Sequence, residues 1–199
     1  MRFLIADQEG RTWDGTALEE GAELCQTNQN FFFSTYSTPA EALFMYPAYE
    51  SFESATLWEV EADSVAFSHL TQSHRQIKVL KRLNAQPPSL EQRQTFAVAC
   101  CLMATNDEEF KSWAKGFLRG EAQPESESSL WDSLASRIDD LDCGCLFACL
   151  ESISGSDGIR SSAYSAHSAY SSATVINLGI LAKMCMDLSR PQMAEMLAG

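Results

Sequence analysis

The sequence is short of positively charged side chains. Lysine and arginine number 14 against 27 aspartates and glutamates, which gives a formal net charge of −13. Nucleic-acid binding depends on basic side chains that neutralise phosphates, and an acidic chain is also repelled by anionic membrane surfaces. The composition therefore predicts no direct binding of nucleic acid or membrane. It favours encounter with basic partners, although net charge also serves plain solubility.

Long apolar runs are missing as well. No stretch approaches the roughly 18 apolar residues of a membrane span, and the apolar run in residues 1–7 is far too short for a signal peptide. The chain has seven cysteines, an odd number, and most lie in apolar helical context. Disulfide-linked proteins belong to oxidising compartments. We therefore expect free thiols and a cytoplasmic protein.

The 199 residues suit one large domain or two small ones. The clearest boundary is the segment 84–88, because the tandem prolines Pro87 and Pro88 prevent continuation of a helix or a central strand. The formal charge is −6 before Pro88 (12 acidic, 6 basic) and −7 from Pro88 onward (15 acidic, 8 basic), so both parts share the acidity. We predict a β-rich domain at 1–86 and a helical domain at 87–199.

The first domain alternates apolar and polar residues as short strands do. Thr38-Pro39 followed by Glu41 predicts the start of a short helix that ends near Met45, before Pro47. The predicted strands are a hairpin of residues 3–7 and 11–13, a buried run at 31–33, and strands at 56–62 and 76–83. The expectation is an arrangement of short antiparallel strands plus one helix.

The second domain has apolar residues at helical spacing. Ser89 with Gln92 predicts a capping box, and Gly120 predicts a helix end. The predicted helices cover residues 89–105, 106–120, 130–141, 145–153 and 159–188, with a last short helix after Pro191 and an acidic loop at 121–129. The predicted fold class is α+β, with an all-α C-terminal domain.

Known catalytic motifs are lacking. The sequence has only three histidines and contains no GxSxG, HExxH, GxGxxG or P-loop pattern. Cys143, Cys145 and Cys149 form the most metal-like cluster, but a structural zinc site needs four converging ligands, and buried thiols are the favoured interpretation. We predict no catalytic residue, no cofactor and no metal site.

Candidate partner-binding residues come from two patterns. The acidic candidates are Glu59, Glu61, Asp139, Asp140 and Asp142; the three aspartates lie at a predicted helix end where the dipole disfavours them. The aromatic candidates, Tyr164 and Tyr170, form a predicted ridge with His167 along Ser-Ala-Tyr and Ser-Ala-His triplets. The competing interpretations are a solvated acidic face and a tightly packed helix face. The four tryptophans, Trp13, Trp58, Trp113 and Trp131, fall on periodic apolar positions and are predicted to lie in the core.

Two segments resemble an uncharacterised family of phage and prophage proteins. Residues 89–102, SLEQRQTFAVACCL, and 109–120, EFKSWAKGFLRG, are similar to an "EQR-x-x-F…C-x-L…F-x-x-WA-x-x-WL-x-G" pattern. Upstream, the similar features are Gly15, Gly21, residues 31–33, 39–42, Pro47 and 52–61. Phe117 stands where the family often has tryptophan, and the Ser-Ala-Tyr triplets resemble a shortened form of its Ala/Tyr/Asp-rich helical repeats. The resemblance covers about two thirds of the chain.

The resemblance implies a mobile-element genome and lends no catalytic residues. We therefore expect a non-enzymatic, anti-CRISPR-like protein in the cytoplasm of a bacterial host. It would inhibit a host defence complex with a basic surface, such as a CRISPR surveillance complex, by binding it or displacing a subunit. Two alternatives stay open. One is a virion structural or assembly factor, marked by self-association. The other is a carboxylate-based hydrolase, which predicts a pocket holding two carboxylates with perturbed pKa values.

Overall fold

A computed structural model of the chain divides by its internal contacts into two compact units, Met1–Pro87 and Pro88–Gly199. The structure describes residues 1–28, 31–46, 55–62, 66–67, 71–121, 124–136, 144–154, 157–172 and 176–197. Within these ranges, the first unit holds seven strands and one helix, and the second unit holds seven helices. The predicted α+β fold class is confirmed.

The first unit is built from short antiparallel strands. They are β1 (Arg2–Ala6), β2 (Glu23–Cys25), β3 (Phe33–Thr35), β4 (Thr56–Glu61), β5 (Ala66–Phe67), β6 (Gln72–His74) and β7 (Gln76–Leu83). A four-stranded sheet has the order β1-β4-β7-β2, and a three-stranded sheet has the order β3-β6-β5. A bridge between Phe3 and Tyr36 connects β1 to the residue that follows β3.

One face of the four-stranded sheet carries the core of this unit. Trp58 and Val60 point to it, as the alternation in β4 predicts. The buried cluster comprises Leu4, Ala6, Leu18, Phe33, Trp58, Val60, Ile77 and Val79. The Trp58 indole N–H donates to Thr56 Oγ1 at 2.9 Å, and that hydroxyl donates to the carbonyl oxygen of Asp7 at 2.8 Å. The only polar atom of the buried indole is therefore satisfied.

The predicted hairpin of residues 3–7 and 11–13 is wrong. β1 pairs with β4 along its whole length, and Arg11 forms only a single bridge with Ala17. Gly10 turns the chain at φ +77°, and a Cβ there would lie 3.0 Å from Trp58 Cζ2. Strand β4 pairs with β1 from Arg2 to Ala6 and brings apolar residues along that length, which the short segment 11–13 cannot do. The long-range pairing is therefore the more stable one.

Helix α1 (Pro39–Met45) packs against β1 and β4. Its residues Ala42 to Met45 are buried. The backbone N–H of Glu41 donates to Thr38 Oγ1 at 3.1 Å, which confirms the predicted cap and, with Pro39 at the first position, the predicted start. The carboxylate of Glu41 accepts from the N–H of Ser37 at 3.2 Å. Pro47 lies outside the described residues.

Strand β7 contains a bulge at Leu80. The pairing with β4 passes from Val60–Val79 to Glu59–Lys81 and skips Leu80. In a regular strand, Lys81 would share the core face of Val79, because side chains alternate with a period of two. The extra residue instead moves Lys81 to the face of Glu59.

The second unit is entirely helical in its described parts. Its helices are α2 (Leu90–Ala104), α3 (Glu108–Arg119), α4 (Pro124–Ala135), α5 (Gly144–Ser154), α6 (Gly158–Ser172), α7 (Leu178–Asp187) and α8 (Arg190–Leu197). The predicted capping box is confirmed: Gln92 N–H donates to Ser89 Oγ at 3.2 Å, and Ser89 N–H donates to Gln92 Oε1 at 2.8 Å. In the described ranges, no helix is both long enough and apolar enough to cross a membrane.

Helix α6 packs against both α2 and α5. Ala163, Ala166 and Ala169 of the triplets are fully buried, and Ser162 and Ser165 are buried beside them. Small side chains let helix axes approach closely, so the triplets provide the tightly packed face that the sequence predicts.

Two predictions in this unit are wrong. The single helix at 159–188 is two helices, because Asn177 caps α7 by accepting from the N–H of Ile180 at 3.0 Å. The acidic stretch predicted as a loop at 121–129 is helical from Pro124 onward. Proline is tolerated at the first position of a helix, where its missing N–H has no intrahelical acceptor.

Candidate functional site

The sequence-predicted acidic candidates lie in different environments. Glu59 is only 6% exposed, and its Oε2 lies 3.2 Å from Lys81 Nζ, so its carboxylate is held inside the first unit. Glu61, at the end of β4, is exposed. Asp139, Asp140 and Asp142 lie outside the described residues. Within this group, only Glu61 is shown to present its side chain to solvent.

The aromatic candidates lie on α6, in the second unit. Tyr164 is 41% exposed and Tyr170 is half-buried. The Arg160 guanidinium donates to Tyr164 Oη at 3.3 Å and sits 5.5 Å from the centre of its ring. His167 is half-buried, and burial lowers its pKa from the ordinary value of 6.5, which favours the neutral imidazole. Of the two candidate tyrosines, Tyr164 is thus the more exposed.

Glu61 lines a cleft of about 530 Å³ at the end of the four-stranded sheet. The other described lining residues are Glu23, Ala62, Arg75, Gln76, Ile77 and Lys78. Lys78 pairs across the strands with Glu23 on β2 and with Glu61 on β4, so the three side chains share one face in a row. Alternating charges at this spacing favour one another, and the row is exposed on the outer face of the sheet.

An aromatic group beside this cleft was missed at the level of sequence. Trp13 is 53% exposed, so its predicted place in the core is wrong. Its ring lies 4.9 Å, edge to face, from Phe31, and Arg75 sits 5.3 Å above the ring of Phe32. The sequence signal was the tetrapeptide Thr-Trp-Asp-Gly at 12–15: aspartate and glycine favour a turn, and turn residues face solvent.

Asp14 holds that turn. Its carboxylate accepts from the Thr12 hydroxyl, from Gln26 Nε2 at 2.6 Å and from the N–H of Thr16 at 3.2 Å. Partial burial acts to raise the pKa of Asp14, but these hydrogen bonds to the charged form outweigh burial, and the pKa lies below its ordinary value of 3.8. The turn that displays Trp13 is therefore fixed by a charged hydrogen-bond acceptor.

The second unit carries a groove of about 580 Å³ between α3 and α4, called the α3–α4 groove below. Its described lining residues are Glu109, Ser112, Trp113, Gly116, Glu121, Ser129 and Leu130. Ser133 Oγ of α4 donates to Glu109 Oε2 of α3 at 2.6 Å, which ties the two helices together. The sequence predicted Trp113 and Leu130 as core residues, and both are buried, but it gave no sign that they form the floor of a groove.

A histidine and a hydroxyl side chain lie side by side in the first unit, but they are not placed for catalysis. Thr35 Oγ1 lies 2.8 Å from His74 Nε2, the separation expected of a hydroxyl nucleophile and its base. Both side chains are fully buried, however, so no substrate can reach them. Glu41 has a pKa raised by burial, but its carboxylate caps α1 through Ser37, which is a structural role.

Cysteines cluster in the core of the second unit. Cys101 Sγ donates to the carbonyl oxygen of Cys145 at 3.2 Å and lies 3.0 Å from Ser165 Oγ. Burial raises the pKa of Cys101 well above its ordinary value. The buried-thiol interpretation is confirmed for Cys145 and Cys149, whereas Cys143 lies outside the described residues. Among the residues that the structure describes, no group of three or more histidine, cysteine, aspartate or glutamate side chains is placed to hold a metal ion.

Comparison of the chain with models of known protein families, with curated proteins and with solved structures finds no match. The functional argument therefore rests on the surfaces just described.

Proposed function

We propose that this chain is an interaction protein, encoded by a phage or another mobile element, that binds a partner with a basic surface and thereby inhibits a host defence complex such as a CRISPR surveillance complex. The observation that supports binding to a basic partner is the charge balance. With 27 acidic against 14 basic residues, the field around the protein attracts positive surfaces and speeds encounter with them.

Several of the basic side chains are already paired within the chain, and these pairs leave the net negative charge unchanged. Several of them lie within 4.0 Å of a carboxylate of the same chain: Arg11, Lys81, Lys111, Arg119, Lys183 and Arg190. A basic side chain beside its own carboxylate leaves the surface locally neutral. The excess of carboxylates is then what a partner meets, at residues such as Glu23 and Glu61.

The second part of the proposal, inhibition of a defence complex, comes from the resemblance of residues 89–102 and 109–120 to phage and prophage proteins. Surveillance complexes hold nucleic acid in positively charged channels. An acidic protein can occupy such a channel because its carboxylates can bind the basic side chains that otherwise bind phosphates. The proposal needs no chemical step by this chain, only binding.

A plating assay tests the proposal. A bacterial strain immune to a phage through its CRISPR system is made to express the chain, and phage plaques are counted. We expect plaques to return. The control variant carries Glu23→Lys and Glu61→Lys together, which reverses two exposed charges, and it should restore fewer plaques. Its fold is checked by circular dichroism, because three lysines then stand in one row with Lys78. Full immunity in the presence of the correctly folded wild-type chain, across strains with different CRISPR types, would reject the anti-defence proposal.

A further inference from the structure

The α3–α4 groove combines acidic walls with an apolar floor. Of its lining residues, Glu109 and Glu121 are exposed, whereas Trp113 and Leu130 are buried. Its described lining contains no basic residue. The groove therefore has the charge and polarity that complement a basic segment with apolar side chains.

Trp113 supplies a second, independent observation. It is only 8% exposed, and among the described residues no acceptor lies within hydrogen-bonding distance of its buried Nε1. A buried N–H without an acceptor is unfavourable, and such groups are rare in folded proteins. Trp58, the buried tryptophan of the first unit, has its N–H satisfied by Thr56. The indole of Trp113 is thus a donor that folding leaves unsatisfied, in a residue that lines the groove.

The groove is held in shape before any partner arrives. Trp113 lies between Phe110 and Phe117, with ring centres 5.5 Å away on each side. The Arg190 guanidinium of α8 sits 4.6 Å above the Phe117 ring and lies 2.9 Å from a Glu91 carboxylate oxygen. Together with the Ser133–Glu109 hydrogen bond, these contacts hold α3 against α4 and α8, although the side chains that cover the Trp113 N–H must still move before a partner can reach it.

We propose that the α3–α4 groove is the docking site for a basic, extended segment of the partner protein. The aliphatic stem of a lysine or arginine packs over Leu130 and Trp113, as long basic side chains do on apolar surfaces. Its charged end lies between Glu109 and Glu121, where it replaces Arg119, whose guanidinium lies 3.8 Å from the Glu121 carboxylate in the free chain. A backbone carbonyl oxygen of the segment accepts the Trp113 N–H once the lining side chains part. This inference rests on the proposed function and names the site at which the basic partner binds.

The test uses the full chain and a defined probe, a fluorescein-labelled dodecapeptide of alternating lysine and leucine. A glutamate–leucine peptide of the same length is the negative control. Binding is followed by fluorescence anisotropy. The variant Glu121→Lys should weaken binding of the basic peptide by about tenfold or more, because it places a positive charge in the wall of the groove. The matched control Glu151→Lys makes the same charge change at an exposed site on α5, outside the described lining, and should weaken binding by less than about twofold.

A second readout follows the indole itself. In ¹H–¹⁵N spectra, the Trp113 indole signal is identified by its loss in Trp113→Phe. On addition of the basic peptide, this signal should move downfield as the N–H gains an acceptor, while the Trp58 signal stays in place. The Trp113→Phe variant should fold normally and bind the peptide more weakly, because it keeps a ring and loses the donor.

The outcomes distinguish a failure of the groove proposal from a failure of the anti-defence proposal. Equal weakening by Glu121→Lys and Glu151→Lys, or an unmoved Trp113 signal at saturation, overturns the groove and leaves a general acidic surface as the binding determinant. Failure of the wild-type chain to bind the basic peptide also overturns it. Plaques restored equally by the wild-type chain and by Glu121→Lys would retain the anti-defence proposal and place its contact elsewhere.

Discussion

Lys81 Nζ lies 3.2 Å from Glu59 Oε2 across strands β7 and β4, and it does so because the bulge at Leu80 turns Lys81 away from the core face. The Glu59 side chain is nearly buried, whereas more than half of the Lys81 side chain is exposed. A carboxylate in such a place loses much of its hydration and depends on its cation.

Removing the cation should therefore destabilise the protein. We expect Lys81→Ala to lower the free energy of unfolding by about 1–3 kcal/mol, because the nearly buried Glu59 side chain then lacks its partner. Lys78→Ala, which removes an exposed lysine from the same strand, is the control and should cost about 1 kcal/mol or less. Urea denaturation followed by circular dichroism measures both. Equal losses for the two variants would show that Glu59 does not need Lys81.

The capping box of α2 makes a second prediction. Ser89 satisfies the N–H of Gln92 at a helix whose segment 96–101 is fully buried. Ser89→Ala should lower the free energy of unfolding by about 1 kcal/mol. Ser112→Ala, at an exposed position within α3, should leave stability unchanged or raise it by about 0.5 kcal/mol, since alanine is the better helix former. Thermal unfolding measures both variants. No loss of stability in Ser89→Ala would contradict the capping role.

The cysteines should differ sharply in reactivity. Burial raises the pKa of Cys185 to about 12 and that of Cys100 well above its ordinary value, so both stay protonated at pH 8 and are shielded from solvent. Cys25 is exposed. Iodoacetamide at pH 8, followed by peptide mass spectrometry, should label Cys25 first and the other two only after the protein is unfolded. Labelling of Cys185 in the folded protein as fast as Cys25 would refute the described core.

Asp14 gives a prediction that depends on pH. Its hydrogen bonds hold its pKa below 3.8 in the folded state, so they contribute stability above that pH, and this contribution is lost as the pH falls through the folded-state pKa. Gln26→Ala removes the hydrogen bond of 2.6 Å. The variant should be less stable than wild type at pH 7, and the difference should shrink once Asp14 is protonated in both. Unfolding measured from neutral to acid pH checks this; a difference that stays constant would exclude Asp14 as its source.

The parts of the fold that follow local rules could be predicted from the sequence. The alternation of Trp58 and Val60 identifies the core face of β4, and Thr38, Ser89 and Gly120 mark helix ends by their own side chains or backbone conformation. Each of these signals acts within a few residues, so no knowledge of the tertiary fold is needed.

The features that the sequence did not predict have a different cause. Nothing local announces the bulge at Leu80, which depends on how β7 meets β4. Asn177 is of a residue type that favours helix N-caps, so a local signal for the start of α7 was present, but the apolar periodicity on both sides of it favoured one continuous helix. The α3–α4 groove joins residues from two helices whose contact is tertiary, and its unsatisfied donor at Trp113 is visible only once the neighbours of that atom are known. The sequence predicts Glu59 as a surface residue, because the lysine that pairs with it lies on another strand.

The most direct test of the central claim is the binding of the full chain to a purified CRISPR surveillance complex over a series of salt concentrations. Raising the salt from about 0.1 M to about 1 M shortens the screening length from about 10 Å to about 3 Å. If acidic carboxylates lead the interaction, the wild-type chain binds at low salt and its affinity falls steeply across this range, more steeply than for Glu23→Lys with Glu61→Lys. No binding at low salt, or an affinity that does not change with salt, would contradict the account.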